Sequence, residues 1–159
     1  MPSAHDPPSG LPHRPDAPLA SDESAAKIDA GGPVRILIVE DDLLIATQTE
    51  TLLTEAGFDV MGIVATAEKA LEMAAIDPPH LAIVDIRLAG VRDGIDAALE
   101  LFRRHGIRCI FASAYSDHEA RERAAAAAPL GWLQKPYSMA SLTTAVRAAA
   151  SEVRGKAGR

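Results

Sequence analysis

Acidic, hydroxyl and lysine side chains follow four apolar runs of this sequence, and together they could bind a divalent cation and a phosphoryl group. Each run has the length of a short β-strand and ends at the polar residue. Because the carboxyl ends of parallel strands meet at one edge of a sheet, we expect these side chains to converge there. They are Glu40 and Asp41 after the first run, then Asp85, Ser113 and Lys135.

Glu40, Asp41 and Asp85 form the acidic part of this group. Carboxylate oxygens suit Mg²⁺, a hard cation that prefers octahedral oxygen ligands and retains some water. The ion would let a phosphoryl dianion approach a carboxylate, because it neutralises charge on both. The alternative is that the three acids cap separate strand ends as unrelated, solvated residues. Two consecutive acids at one strand end, with a third two strands later, favour the cation site.

Ser113 and Lys135 complete the polar group at two further strand ends. Ser113 supplies a hydroxyl and Lys135 places an ammonium beside the acids, although either residue by itself would normally be a solvated loop residue. Pro136 follows the lysine and bends the chain, and a cis Lys135–Pro136 bond is compatible with that arrangement. We therefore predict that the hydroxyl and the ammonium face the acids.

Strand-like and helix-like segments alternate along the chain in a pattern that predicts five β-α units. Right-handed crossovers between consecutive strands place the helices on both faces of one sheet. The predicted fold class is therefore α/β, a (βα)5 doubly wound five-stranded parallel sheet of the flavodoxin-like type. The strands are predicted at 34–39, 59–64, 81–85, 108–112 and 131–134. Helices are predicted near 43–56, 95–104, 117–128 and 139–153, and a further one between Thr66 and Pro78.

Polar residues and prolines predict where several of these helices begin and end. Asp42, Thr66 and Ser138 each precede a predicted helix and can cap it. Pro78-Pro79 and Pro129 are predicted to stop two helices, because proline cannot continue the helical hydrogen bonding.

Residues 1–33 differ in composition from the rest of the chain. They contain seven of the eleven prolines and few large apolar side chains. Such a segment cannot bury enough apolar surface to offset its chain entropy, so we predict a disordered N-terminal tail. The predicted globular domain covers residues 34–154, and residues 155–159 are predicted to form a short basic tail.

Composition and charge exclude several classes of protein. The net charge of −6 argues against a nucleic-acid partner, whose binding requires a basic face. No apolar stretch reaches the roughly 18 residues of a membrane span, and the N-terminus lacks the pattern of a signal peptide. Cys109, the single cysteine, lies inside an apolar run and is expected to be a small buried hydrophobe. We therefore expect a cytoplasmic protein without a nucleic-acid or membrane partner.

The residues that carry the chemistry also resemble a known family, the receiver domain of two-component response regulators. The resemblance covers about residues 34–154, with the motif positions in the expected order. It implies that Asp85 accepts a phosphoryl group from a sensor histidine kinase or a histidine phosphotransfer protein. The matching positions are 36–42, Val84-Asp85, Ser113 and Lys135-Pro136.

The resemblance also implies a set of Mg²⁺ ligands. Asp41 and Asp85 would ligate the ion directly, together with the main-chain carbonyl of Arg87. Glu40 would act on the ion through a water molecule.

The same resemblance implies that Ser113 and Trp132 form a conformational switch. Ser113 and Lys135 would contact the phosphoryl oxygens, which draws Ser113 and its loop toward the phosphate. Trp132, three residues before the lysine, stands where the family has an aromatic side chain that follows this movement. Trp132 could instead have only a packing role under the last helices.

Few residues follow the last predicted helix, so we expect a stand-alone receiver without an output domain. Its output would be contact with a downstream protein that the sequence does not identify, or the transfer of phosphoryl groups itself, as in a phosphate sink. A homodimer is also possible on this interpretation. No enzymatic turnover of an external substrate is predicted. Two alternatives stay open: a Mg²⁺-dependent phosphatase with an aspartyl nucleophile, and a receiver-like binding module that is not phosphorylated. Arg87 argues against the phosphatase, because that class usually has a second Asp at this position.

Overall fold

The described part of the chain, residues 31–114 and 118–157, alternates between strands and helices in this computed structural model. The strands are β1 (Arg35–Val39), β2 (Asp59–Val64), β3 (Leu81–Asp85), β4 (Arg108–Ser113) and β5 (Gly131–Gln134). The helices are α1 (Leu43–Glu55), α2 (Ala67–Ile76), α3 (Gly94–His105), α4 (His118–Ala124) and α5 (Met139–Ala157). This order confirms the predicted five β-α units.

The five strands form one parallel sheet in the order β2-β1-β3-β4-β5. This is the predicted doubly wound arrangement, and the direction of strand addition reverses between β1 and β3. In open sheets of this kind, ligands bind in the crevice at the carboxyl ends of the strands where the order reverses. Val39 pairs with Val84 at that end, so the residues after β1 lie beside the last residue of β3.

Helices cover both faces of the sheet because the central strands bury alternate side chains on opposite sides. On one face, Leu37 and Val39 share a core cluster with residues of α2, α3 and α4. On the other face, Ile36 and Ile38 pack with residues of α1 and α5. All five residues of β3 are buried, as expected for a central strand covered on both sides.

Side-chain caps hold four of the helices at their N-termini. Asp42 caps α1, and the hydroxyls of Thr66 and Ser138 accept hydrogen bonds from the first turns of α2 and α5. These three caps confirm the predictions. Helix α3 has a cap that was not predicted, in which Asp93 and Asp96 each accept a hydrogen bond from the other's backbone N–H.

The regular part of α4 is shorter than predicted. A helix is predicted over 117–128, whereas α4 ends at Ala124 and continues as a 3₁₀ turn, Ala125–Ala127. Ala128 then adopts a left-handed conformation with φ of 49°, directly before Pro129. Proline disfavours the right-handed helical conformation of the residue that precedes it, which explains the early end. The predicted first helical residue, Asp117, lies outside the described residues.

Helix α5 is longer than predicted and runs into the segment predicted as a basic tail. It is predicted to end near 153, with the domain boundary at 154, but it continues to Ala157. Arg154 and Lys156 lie in its last turn, where cations interact favourably with the helix dipole. Arg154 also donates a hydrogen bond to the carbonyl of Gly32. Residues 1–30 and 158–159 of the predicted tails lie outside the described residues.

Two further expectations concern parts of the molecule away from the sheet edge. Cys109 is fully buried in β4, as predicted, and burial raises the pKa of its thiol to about 12. In residues 31–114 and 118–157, none of the helices has the length and apolar character needed to cross a bilayer.

Candidate metal centre

The predicted acids converge at the carboxyl edge of the two central strands. Glu40 and Asp41 follow β1, and Asp85 is the last residue of β3. One carboxylate oxygen from each of the three side chains lies within 4.8 Å of the other two. This approach follows from the parallel pairing of β1 with β3, which brings the two strand ends side by side.

Lys135 supplies the positive charge of this site. Its ammonium Nζ lies 2.8 Å from Glu40 Oε1 and 3.3 Å from Asp85 Oδ2. The backbone N–H of Lys135 donates a hydrogen bond of 2.8 Å to the carbonyl of Ser113, which continues the pairing of β4 with β5. The Lys135–Pro136 bond is cis, in agreement with the sequence-based expectation. The lysine therefore faces the acids as predicted.

Burial gives this cluster unusual electrostatics. Glu40 is 5% exposed and Asp85 is 8% exposed. Burial, and next the neighbouring Asp85 carboxyl, raise the pKa of Glu40 to about 7, although Lys135 acts in the opposite direction. Burial by itself would lower the pKa of Lys135, but its two carboxylate partners raise that pKa above its ordinary value. With all three acids ionised, the site holds more negative charge than one ammonium neutralises.

The arrangement fits a Mg²⁺ ion. Glu40 Oε2 is a buried oxygen without a hydrogen-bond partner among the described residues, and such an oxygen is costly unless a cation or water meets it. Asp41 Oδ2 accepts a hydrogen bond from the N–H of Ala89, and Asp85 Oδ1 accepts one from the N–H of Arg87, both at 3.2 Å. These loop amides orient two of the carboxylates that would hold the ion. The oxygen-only donor set is the one that Mg²⁺ prefers.

Ser113 lies at the same sheet edge, on the neighbouring strand. It is the half-buried last residue of β4, one position beyond Ala112, which pairs with Asp85. The structure therefore brings this predicted residue close to the acids. Contact of its hydroxyl with phosphoryl oxygens stays a prediction, as does ligation of Mg²⁺ by the main-chain carbonyl of Arg87.

Trp132 lies in β5, where its ring contacts a second aromatic ring and a guanidinium group. Its ring centroid is 4.9 Å from that of Phe111 on the paired strand β4. The guanidinium carbon of Arg121 lies 4.6 Å from the centroid of the Trp132 ring, within the range of a cation–π interaction. The packing role considered for Trp132 is thus present, and its role as a switch stays a prediction.

Sequence reasoning did not identify the residues that hold the loop after β3. Gly94 begins α3 directly against the backbone of Asp85, and Asp93 forms an ion pair of 3.1 Å with Arg123 of α4. An Asp before a helix, with an acid three residues later, is a signal that could have predicted the cap. No sequence signal points to Arg123, because it comes from a different helix.

Replacing Asp41 with Ala should weaken Mg²⁺ binding by roughly tenfold or more, because loss of even an indirect partner of a metal ligand commonly costs 10–100-fold. The affinity can be measured by titrating Mg²⁺ against the fluorescence of Trp132, the only tryptophan of the chain. Asp42→Asn is the matched control, because asparagine keeps the helix cap and removes one charge next to the cluster. Equal Kd values for the two variants would place the metal elsewhere.

Comparisons with known proteins bear on this geometry. A family model described as the response regulator receiver domain matches residues 36–147. The transcriptional regulatory protein PdtaR of Mycobacterium tuberculosis (strain H37Rv) is 35% identical over 126 residues, which are 79% of this chain and 61% of that protein. The phyllosphere-induced regulator PhyR of Methylorubrum extorquens is 34% identical over 97 residues, which are 60% of this chain and 36% of that protein. The chain thus spans less than two thirds of the length of these relatives.

A solved structure shows the same architecture. The signal receiver domain of a modulated diguanylate cyclase from Desulfovibrio desulfuricans G20 superimposes with a TM-score of 0.73 at 31% sequence identity. The superposition covers 79% of this chain and 99% of that chain.

Proposed function

This chain belongs to the response regulator receiver domain family, and on that premise we propose that Asp85 accepts a phosphoryl group from a sensor histidine kinase or a histidine phosphotransfer protein. Phosphorylation then changes the surface near Trp132, which a downstream protein reads. The relatives PdtaR and PhyR are named as regulatory proteins, and we assign this chain no turnover of an external substrate. We place this signalling in the cytoplasm, where ATP is available to load such phosphodonors.

The position of Asp85 is the observation that carries this proposal. It ends the fully buried central strand, with Glu40 and Asp41 on one side and the Lys135 ammonium 3.3 Å from its Oδ2. A carboxylate in this place meets both requirements for accepting a phosphoryl group, which are a fixed position and neutralisation of the incoming charge. Asp41, in contrast, is exposed to solvent, so its carboxylate is held less firmly.

The transfer is a displacement at phosphorus. The bond from phosphorus to the donor imidazole nitrogen breaks as a bond to an Asp85 carboxylate oxygen forms. The electron pair of the broken bond returns to the donor nitrogen, which takes up a proton. Mg²⁺ bound by the acids would supply charge neutralisation on the phosphoryl oxygens. Lys135 would hold a share of the same charge, and the Ser113 hydroxyl would donate a hydrogen bond to it.

Labelling tests this proposal directly. Incubation of the protein with acetyl phosphate and Mg²⁺ should add one phosphoryl group, seen by intact mass, and hydroxylamine should remove it because an acyl phosphate is labile to nucleophiles. A label that resists hydroxylamine would show that the acceptor is not a carboxylate.

The proposed output predicts where the phosphorylated protein changes. Movement of Ser113 toward the phosphate would open space for Trp132, so amide hydrogen exchange should change in residues 108–114 and 118–137. The two conformations are expected to differ by a few kcal/mol, so phosphorylation biases a population that already exists. Amides of β2, on the opposite edge of the sheet, serve as the internal reference. Changes confined to the loops around Asp41 and Asp85 would instead favour a phosphate sink that does not switch.

A further inference from the structure

Gly94 is the first residue of α3 and lies against the backbone of Asp85. A Cβ atom added to it would stand 1.8 Å from the carbonyl oxygen and 2.7 Å from the carbonyl carbon of Asp85. The same atom would be 2.9 Å from the Cα of Ile86. The N–H of Gly94 donates a hydrogen bond of 2.8 Å to the carbonyl of Ile86. The start of α3 therefore touches the main chain of the residue that carries the proposed chemistry.

We infer that Gly94 is a positioning residue, whose missing side chain sets where the Asp85 carboxylate stands relative to Glu40, Asp41 and Lys135. The inference rests on the proposed function, because positioning matters for a residue that accepts a phosphoryl group. Close approach is the reason that glycine is required here. Gly94 is not among the glycines with positive φ, so the backbone conformation itself would accept alanine.

The two backbones that meet at Gly94 are not equally free to move. Helix α3 is anchored, because Ile95, Ala98 and Leu101 are fully buried in the core. Its first turn is further held by the reciprocal cap of Asp93 and by the ion pair of Asp93 with Arg123. The chain after Asp85 is less constrained. The last pairing of β3 is the hydrogen bond from Ile86 to Ala112, and residues 89–92 are exposed.

An alanine at this position should therefore push against the main chain of Asp85 and Ile86, where the sheet pairing of β3 ends, and move the Asp85 carboxylate relative to its neighbours. Contacts of a Cβ atom closer than 3.0 Å are essentially never seen, so the two backbones would have to separate by about 1 Å or more. A displacement of this size would disturb the contacts of the Asp85 carboxylate, which lies 3.3 Å from the Lys135 ammonium and 3.2 Å from the Arg87 N–H. A misplacement of 1 Å can cost about 100-fold in rate.

Gly94→Ala and Gly131→Ala form a matched pair of variants. A Cβ atom at Gly131 meets nothing within 4 Å, so this variant makes the same chemical change in open space. We expect Gly94→Ala to slow phosphorylation by acetyl phosphate about 100-fold and to weaken Mg²⁺ binding, while Gly131→Ala matches the wild type. Both readouts are taken well below the thermal midpoint of each variant, where a purely structural role would leave them unchanged. Wild-type rate and Mg²⁺ affinity in a folded Gly94→Ala protein would overturn the inference.

A second variant decides the matter if Gly94→Ala does not fold. Asp93→Ala keeps the glycine but removes the cap and the Arg123 contact that hold Gly94 against Asp85. Phosphorylation should then slow severalfold in a folded protein, and an unchanged rate would overturn the inference. If the wild type itself takes up no phosphoryl group, the proposed function fails. In that case the Mg²⁺ affinities of the same variants decide the positioning role separately.

Discussion

Replacing Asp85 with Asn should reduce labelling by acetyl phosphate to background, the largest effect expected for any single substitution in this protein. Asparagine keeps the size of the side chain and an oxygen that can accept the hydrogen bond from Arg87, so the fold should persist. It lacks the anionic oxygen that attacks phosphorus, and no acyl phosphate can form. Intact mass spectrometry in the presence of Mg²⁺ measures the loss.

Asp42→Asn provides the matched control for this experiment. It removes a carboxylate close to the cluster but retains a capping side chain for α1. This variant should be labelled as the wild type is. Full labelling of Asp85→Asn would assign the phosphoryl group to another residue and remove the basis of the proposed function.

The contribution of Glu40 to the stability of the metal-free protein should fall as the pH rises from 5 to 8. The folded-state pKa of Glu40 is about 7, above the ordinary value of 4.5. Between these values the folded protein holds a proton that the unfolded chain has released. The resulting stabilisation is fully present below pH 4.5 and is lost as the pH rises through 7. Its full size is about 3 kcal/mol at most. The raised pKa of Lys135 acts only above its ordinary value of 10.5, outside this window.

Urea unfolding of the wild type and Glu40→Gln, both in EDTA at pH 5 and pH 8, measures this effect. Glutamine cannot titrate, so the free energy of unfolding of the variant should fall less between pH 5 and pH 8 than that of the wild type. The contributions of other titrating groups are the same in both proteins and cancel when the two changes are subtracted. Mg²⁺ added at pH 8 should restore stability to the wild type, because the cation meets the buried carboxylate. Parallel pH profiles for the two proteins would mean that Glu40 ionises normally in the folded state.

The same buried carboxyls also lower the stability of the metal-free protein. Two buried carboxyls, Glu40 and Asp85, share one ammonium, and an oxygen of Glu40 lacks a partner among the described residues. A sheet edge selected for stability alone would not keep such an arrangement. Local features that lower stability are typical of functional sites, because binding of a ligand offsets them.

The elements, and the group of polar side chains that the structure brings to one sheet edge, were predictable from the sequence. The predicted bounds of β2, β3 and β5 agree with the structure, since apolar runs between Gly, Pro and acidic residues leave little choice of where a strand begins and ends. Parallel strands joined by helices must present their carboxyl ends at one edge. The side chains after β1, β3, β4 and β5 therefore had to meet there, whatever the details of packing.

Local sequence predicted helix ends less well where distant residues decide them. Helix α5 passes the predicted boundary, and Arg154 in its last turn bonds the carbonyl of Gly32 from the other end of the described chain. Helix α4, by contrast, ends early for a local reason, because Pro129 disfavours the helical conformation of the residue that precedes it.

Only the tertiary structure decided the electrostatics and the close contacts of the site. The pKa of Glu40 depends on how completely the sheet edge excludes water and on the distances to Asp85 and Lys135, which come from three different strands. The ion pair of Asp93 with Arg123 and the contact of Gly94 with the Asp85 backbone likewise join separate elements. Residue type and spacing determine which groups reach the sheet edge. The desolvation of these groups and the exact distances between them depend on how the helices pack around the sheet edge.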